Sequence, residues 1–351
     1  MNSFFKRLPM PIWASLFLYK CYNLYRLFAD KEKMESDILR QIEIFCPEMT
    51  VGGKKDLLND VKKSYVRHLA KPQEYFLFNF QDKTDKERGE WITDFIKDTY
   101  LKKYAKIERS KELQDKFFVY EKMKPYFKRD ACMIKGASDK DSFMGFVNKH
   151  SRFIAKPNAG SFGADTKIWN VLENAPESIF DKLIANKTSW ILEELIEQVP
   201  VMGKFNASSV NSVRIPTFQT KDGYVVFGTF MRMGREGSVV DNAGAGGIFV
   251  RIDEETGIII SDGYTEHGEV YVEHPDSHVK FKDFQIPRWE ELRELAVQCH
   301  KEIPCHKYVG WDFALTNSGW VMLEGNWGQF LCQQVSEQKP LKKQFTSLIK
   351  G

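Results

Sequence analysis

The chain has 351 residues, 42% of them hydrophobic, enough to bury substantial cores in about two or three domains. Its 51 Lys and Arg nearly balance 48 Asp and Glu; a formal charge of +3 gives no electrostatic case for nucleic acid, and pairs such as Lys54-Lys55 and Lys62-Lys63 read as solvated helix faces. Cys21, Cys46, Cys132, Cys299, Cys305 and Cys332 lack paired spacing, so they read as the reduced thiols of a cytoplasmic enzyme.

Lys6 and Arg7 precede a largely apolar and aromatic run, residues 8–19. Pro9 and Pro11 interrupt it, Lys20 ends it, and no small-residue cleavage site is clear, so it does not read as a signal peptide. It also falls short of the roughly 18 residues of a membrane span. Two readings stay open for Trp13, Phe17, Tyr19, Tyr22, Tyr25 and Phe28 beside Lys6, Arg7, Lys20 and Arg26. One is peripheral contact with a membrane surface, and the other is packing against the body of the protein.

Residues 31–110 carry a helical pattern, with segments at 38–44, 57–69 and 91–104. From Phe153 onward strands dominate, with turn signals at Asp222-Gly223, Thr256-Gly257 and Ser318-Gly319. Helices are expected at 288–302 and 341–349. Repeats and low-complexity segments are absent.

Four segments carry chemistry. Residues 153–164 give a short apolar strand, Lys156, and a turn with Gly160 and Gly163; glycines let backbone N–H groups approach phosphate oxygens and the lysine adds a point charge. This is neither a Walker A loop nor a G-x-G-x-x-G, and an ordinary surface turn is the other reading. Residues 189–197 form a buried-looking strand that runs into Glu193, Glu194 and Glu197. The glycine-rich stretch from Asp241 to Gly247 follows a strand expected at 224–231, beyond which lies Arg232; it reads either as a lid with backbone donors for an acyl phosphate or as a plain connection. The polar knot at His274 is either an acceptor contact or a solvated loop. Near the end, Gly310–Leu315 and Trp320–Asn326 face each other across the turn 316–319. Asp312 and Glu324 have apolar neighbours, and a buried carboxylate needs a counter-charge. Two carboxylates and the Asn326 amide suit Mg²⁺; the other reading is a pair of strand-end carboxylates that are solvated or paired with Lys. Cys299-His300 and Cys305-His306 read as structural, because adjacent ligands on one short helix end seldom converge on tetrahedral geometry.

Lysine strand, acidic strand and the Asp312…Glu324-x-Asn326 hairpin, in that order, resemble the ATP-grasp superfamily. The branch they resemble is the one named for its association with sugar-transfer gene clusters. Its pattern is echoed by residues 209–214, 240–248, 274–289 and Gly310-Trp311-Asp312. The resemblance runs from about Asp115 to the C-terminus, with an echo at 74–80. It implies an α+β fold in which two β-rich subdomains clasp ATP, here at 111–200 and 201–351, behind a helical region at 1–110.

The resemblance places Lys156 and Lys116 on the nucleotide phosphates, with Asn158, Gly160, Ser161 and Gly163 in the flexible loop over them. Glu193, Glu194 and Ile196 match the hinge at the adenine edge, and Glu197 a ribose acceptor. Asp312, Glu324 and Asn326 match the Mg²⁺ ligands, while Asn211, Asp241, Asn242, Gly246, Gly247 and His274 fall on the acceptor side. Two departures stand out. Several relatives that ligate amino acids carry an arginine where this chain has Gly310, so Arg214 or Arg232 must supply that charge, with Arg214 preferred. The helical region also replaces the usual three-layer α/β domain. The implied activity is ATP-dependent ligation of a small carboxylate to an amine through an acyl phosphate, with a sugar acid bound for surface polysaccharide as one substrate. A phosphotransferase acting on a hydroxyl and a catalytically inactive nucleotide-binding scaffold are the alternatives.

Overall fold

The computed structural model describes residues 10–104, 112–159, 166–185 and 188–351. The first part is helical: α1 (Ile12–Ala29), α2 (Lys31–Phe45), α3 (Val51–Arg67), α4 (Pro72–Leu77), α5 (Asp85–Arg88) and α6 (Asp94–Tyr104). Helix α3 starts at Thr50, whose hydroxyl accepts the Gly53 N–H, and α4 starts with proline at its first position, where no N–H is needed. Helix α7 (Lys116–Phe127) leads into the first sheet.

That sheet is antiparallel, with β1 (Ala131–Ile134), β2 (Arg152–Pro157), β3 (Lys167–Asn170) and β4 (Trp190–Glu194) in the order β1-β4-β2-β3. Helices α8 (Lys140–Val147) and α9 (Pro176–Ile184) cover it, burying Phe143, Phe146 and Phe180 against Phe153 and Leu192. A coil at 195–197 and the short α10 (Pro200–Gly203) lead to the second sheet.

The second sheet holds β5 (Val213–Thr220), β6 (Gly223–Val226), β7 (Phe230–Met233), β8 (Ile248–Arg251), β9 (Gly263–Tyr264), β10 (Val270–Tyr271), β11 (Tyr308–Thr316) and β12 (Gly319–Asn326). Its order is β10-β9-β8-β7-β5-β11-β12, with β6 paired to β5. The strand expected at 224–231 is two strands. Gly228 takes φ +86°, and the N–H groups of Gly228 and Thr229 turn to Glu254 Oε1 at 2.6 and 3.0 Å instead of a ladder partner.

Helices α7 and α11 (Trp289–Glu302) pack on one side of this sheet. Its other side meets the N-terminal helices and the closing helices α12 (Cys332–Glu337) and α13 (Lys342–Lys350). Phe76, Phe78 and Trp91 share a core with Phe230 and Phe249, and Ile92, Ile96 and Leu101 share one with Phe218, Phe330 and Phe345. Polar clasps fix the alignment: Gln334 accepts from Ile92 N at 3.0 Å and donates to Ile92 O at 2.8 Å.

His300 is a core histidine. Its Nε2 donates to His306 O at 2.7 Å, and its Nδ1 lies 2.6 Å from the Thr217 hydroxyl. Burial lowers it to about 4, so the ring is neutral at pH 7. The Cys305-His306 pair instead meets Glu112, the three ligand-type atoms lying within 4.8 Å of one another.

Candidate active site

Strand pairing alone brings the charged centre together. Asp312 on β11 is in register with Arg214 on β5 and Glu324 on β12, and β7 beside β5 carries Arg232. Arg214 grips Asp312 as a fork, Nε to Oδ1 and Nη2 to Oδ2, the latter at 2.5 Å. Arg232 Nη2 donates to Asp312 Oδ2 at 2.7 Å. Burial alone would raise the Asp312 carboxyl; the two guanidiniums outweigh it and hold the group at about 2. Two arginines thus already supply the counter-charge that the metal reading of the hairpin assigned to a divalent cation.

Asn326 Nδ2 donates to Glu324 Oε1 at 2.9 Å and to Asp312 Oδ2 at 3.2 Å, so the three expected ligand side chains meet at one point. Turning the amide over would put its oxygen beside those two carboxylate oxygens, giving a group of three oxygens. Burial, and then the Asp312 charge, push the Glu324 carboxyl up. A hard cation would relieve that repulsion, and the oxygen donor set fits Mg²⁺.

The preference for Arg214 as the group facing substrate is corrected. Its side chain is 1% exposed, and Nη1 is held by Gln329 Oε1, whereas Arg232 is 11% exposed. Arg232 also donates to Ser212 Oγ at 3.0 Å and stands 3.8 Å from Asp241. Asp241 is itself held by Ser212 N at 3.0 Å.

On the first sheet, Glu193 is buried between two cations. Lys156 Nζ donates to Oε1 at 3.0 Å, and Arg129 Nε to Oε2 at 2.8 Å. Burial opposes ionisation, yet Arg129 and Lys156 hold the carboxyl at about 2. Lys116, first residue of α7, reaches Pro157 O at 3.2 Å. Asn158 ties the two elements: Oδ1 accepts from Phe117 N at 2.8 Å and Nδ2 donates to Asp115 at 3.0 Å. Its side chain is thus committed to the start of α7, not to a loop over phosphates. Gly160, Ser161 and Gly163 lie outside the described residues. Glu194 accepts from Asp130 N at 3.2 Å, while Ile196 and exposed Glu197 occupy the coil between the sheets.

Lys116 and Glu193 on one side and Glu324, Asn326 and Gln329 on the other line a single cavity of about 280 Å³. This lies just under the ~300–1,000 Å³ of small-molecule pockets.

Several acceptor-side expectations fail because the groups are already used. Asn211 Nδ2 donates to Met202 O and Asn206 O, both at 2.8 Å. His274 Nε2 meets Gly234 O at 2.9 Å, and its Nδ1 accepts from Asp276 N at 3.3 Å. Asn242 accepts from Gly244 N at 3.0 Å. The N–H groups of Gly246 and Gly247 bond Ala243 O and Asn242 O within a tight turn, so they are not aimed at an acyl phosphate. A Cβ on Gly247 would stand 2.4 Å from Asp241 O, which explains the glycine by close approach. Sequence reasoning missed Arg129 and Gln329. Arg129 precedes β1 without a local motif, and Gln329 lies three residues past Asn326.

A cavity lined by Lys116 of α7, Glu193 of the first sheet and Glu324 with Asn326 of the second fits an α+β nucleotide-clasping fold of the ATP-grasp kind. The chain belongs to the sugar-transfer associated ATP-grasp family, which it matches over residues 96–350, within a superfamily made up mostly of ligases. Among solved structures it is similar to D-cycloserine synthetase DcsG, at 13% identity over 68% of this chain and 71% of that one, TM-score 0.43. It is also similar to the ATP-grasp ligase PsnB complexed with minimal precursor, at 14% identity over 78% and 75%, TM-score 0.43. A D-alanine–D-alanine ligase from Bacillus anthracis matches at 10% identity over 68% and 67%, TM-score 0.40. No curated protein matches the chain.

Proposed function

We propose that the protein is an ATP-dependent carboxylate–amine ligase that forms an amide through an acyl phosphate. A substrate carboxylate oxygen attacks the γ-phosphorus of ATP, the bond to the β-phosphate bridging oxygen breaks, and ADP leaves. An amine then attacks the acyl carbon, and the tetrahedral intermediate expels inorganic phosphate while the nitrogen gives up a proton. The observation that carries this reading is the shared cavity between Lys116 with Glu193 and Glu324 with Asn326.

Lys116 and Lys156 place positive charge beside the phosphates, where catalysis rests on positioning and electrostatics. Backbone groups at 194–196 meet the adenine edge, and Glu197 the ribose. Mg²⁺, when bound by Glu324, Asn326 and the Asp312 edge, neutralises charge on the transferred group. Arg232 stabilises the oxyanion, since a guanidinium fork suits phosphate and carboxylate, and Arg214 holds Asp312 in place. A sugar acid destined for surface polysaccharide is taken as the carboxylate, by association with the sugar transfer in the family's description.

Incubation with ATP, Mg²⁺, candidate acids and hydroxylamine tests this. ADP together with a hydroxamate supports the acyl phosphate. ADP with a stable phosphoester makes the protein a phosphotransferase, and no consumption of ATP with any acid makes it a scaffold.

A further inference from the structure

We propose that the outward face of α1, with the basic cavity beside it, docks the protein on an anionic lipid bilayer. Trp13, Phe17, Leu24 and Phe28 recur at helical spacing along one side of α1. Trp13, Phe17 and Phe28 are 73%, 60% and 77% exposed. Tyr25 flanks them and is also exposed. The opposite side of the same helix is fully used. Leu16 and Tyr19 join the core beneath α6, Tyr19 lies 5.1 Å from Phe95 between ring centres, and buried Asn23 donates to Tyr65 O at 2.7 Å. The exposed stripe is therefore a second apolar face on a helix whose core-facing side is complete, unlike the single surface apolar residues that need no explanation.

Charge decides the occupant. Between Ile12 and Ala29 the helix carries Lys20 and Arg26 and no carboxylate; Arg26 is taken by Asp30 just past its end, which leaves Lys20. Leu24 continues the stripe into the mouth of a cavity of about 750 Å³ between α1, α3 and α5. Five Lys or Arg side chains line it against Asp60 and Asp85, an excess of three positive charges. Arg88 takes Asp60, Arg67 takes Asp85, and Lys62 takes Glu35 outside the cavity. The surplus falls on Lys63, which is exposed, and on Lys83.

An aromatic stripe beside a basic mouth matches the boundary of a bilayer, where rings sit at headgroup level and phosphates lie just outside them. A symmetric second copy would set the positive cavity against its own image, which disfavours that occupant. No described helix is long and apolar enough to cross a membrane.

The test sediments the full chain with vesicles of phosphatidylcholine alone and of phosphatidylcholine mixed with phosphatidylglycerol. The parent protein is expected to bind the mixed vesicles about tenfold more strongly or better. Phe17→Ser with Phe28→Ser should cut that binding about tenfold, and Lys20→Glu with Lys63→Glu should abolish the preference for the anionic lipid. Both pairs should keep the parent's thermal midpoint and ATP affinity, because all four side chains lie away from the cleft; Trp13→Ser gives a third check on folding. Equal binding to neutral vesicles, no binding, or indifference to these substitutions overturns the proposal. So does light scattering that finds a dimer which the Phe17 and Phe28 changes dissolve.

Discussion

Arg214 crosses directly over Gly310: a Cβ added at that glycine would stand 3.2 Å from the arginine's Cδ. Gly310 is the position at which the resemblance leads one to expect an arginine, and the structure fills the space above it with an arginine from the adjoining strand. Bulk at 310 therefore competes with the fork on Asp312. Gly310→Val should cost about 1–3 kcal/mol by overpacking and lower activity as Asp312 shifts. Arg214→Ala should cost more, about 3–5 kcal/mol, because it strips a main partner from a buried charge. Arg214→Lys keeps the charge and loses the two-point contact, so it should fall between. Denaturant melts and ATP turnover on the three variants order them.

Acid should reach Glu193 late. Its carboxyl lies at about 2 in the folded protein against an ordinary 4.5, so its contribution is fully present above about 4.5 and is lost as pH falls toward 2. The shift corresponds to stability on the order of 3 kcal/mol. Glu193→Gln should lower stability at pH 7 and flatten its slope between pH 4.5 and 2, read by urea unfolding at several pH values. An unchanged slope removes Glu193 from the acid response.

Glu324→Gln should separate stability from activity. The carboxyl is disfavoured by burial and by Asp312, so a neutral amide of the same shape should leave the thermal midpoint equal or higher. The oxygen that faces a cation loses its charge in the same step, so Mg²⁺-dependent gain in ATP affinity should disappear. Calorimetric titration with a non-hydrolysable analogue, with and without Mg²⁺, reads both halves.

Asn158→Ala leaves the Phe117 N–H and the Asp115 carboxylate without their shared partner. The expected cost is about 1–2 kcal/mol. ATP affinity should fall as well, because α7 carries Lys116 into the cleft. Asn158→Ala with unaltered ATP affinity would show that α7 is held by other contacts.

The charged centre was legible where spacing alone determines position. Asp312, Glu324 and Asn326 sit on two strands joined by a tight turn, and their meeting follows from hairpin register. Periodicity likewise placed helical segments at 38–44, 57–69 and 91–104, which overlap the helices observed at 31–45, 51–67 and 94–104. Groups whose role depends on distant partners were not. Asn211 and His274 look like cleft residues in a linear reading, yet backbone carbonyls from Met202 and Gly234 saturate them. Arg129 gives no local signal because its partner, Glu193, is 64 positions away. The strand expected through 227–229 failed since Glu254, not a neighbouring strand, takes its N–H groups.

The family match opens at residue 96, three residues into α6, while Phe76, Phe78 and Trp91 lie against Phe230 and Phe249 on the back of the large sheet. A fragment trimmed to the matched residues would leave that wall of rings facing water and cut a helix near its start. The matched span and the packed core thus have different limits in this chain, and expression trials that begin at residue 96 should yield insoluble protein.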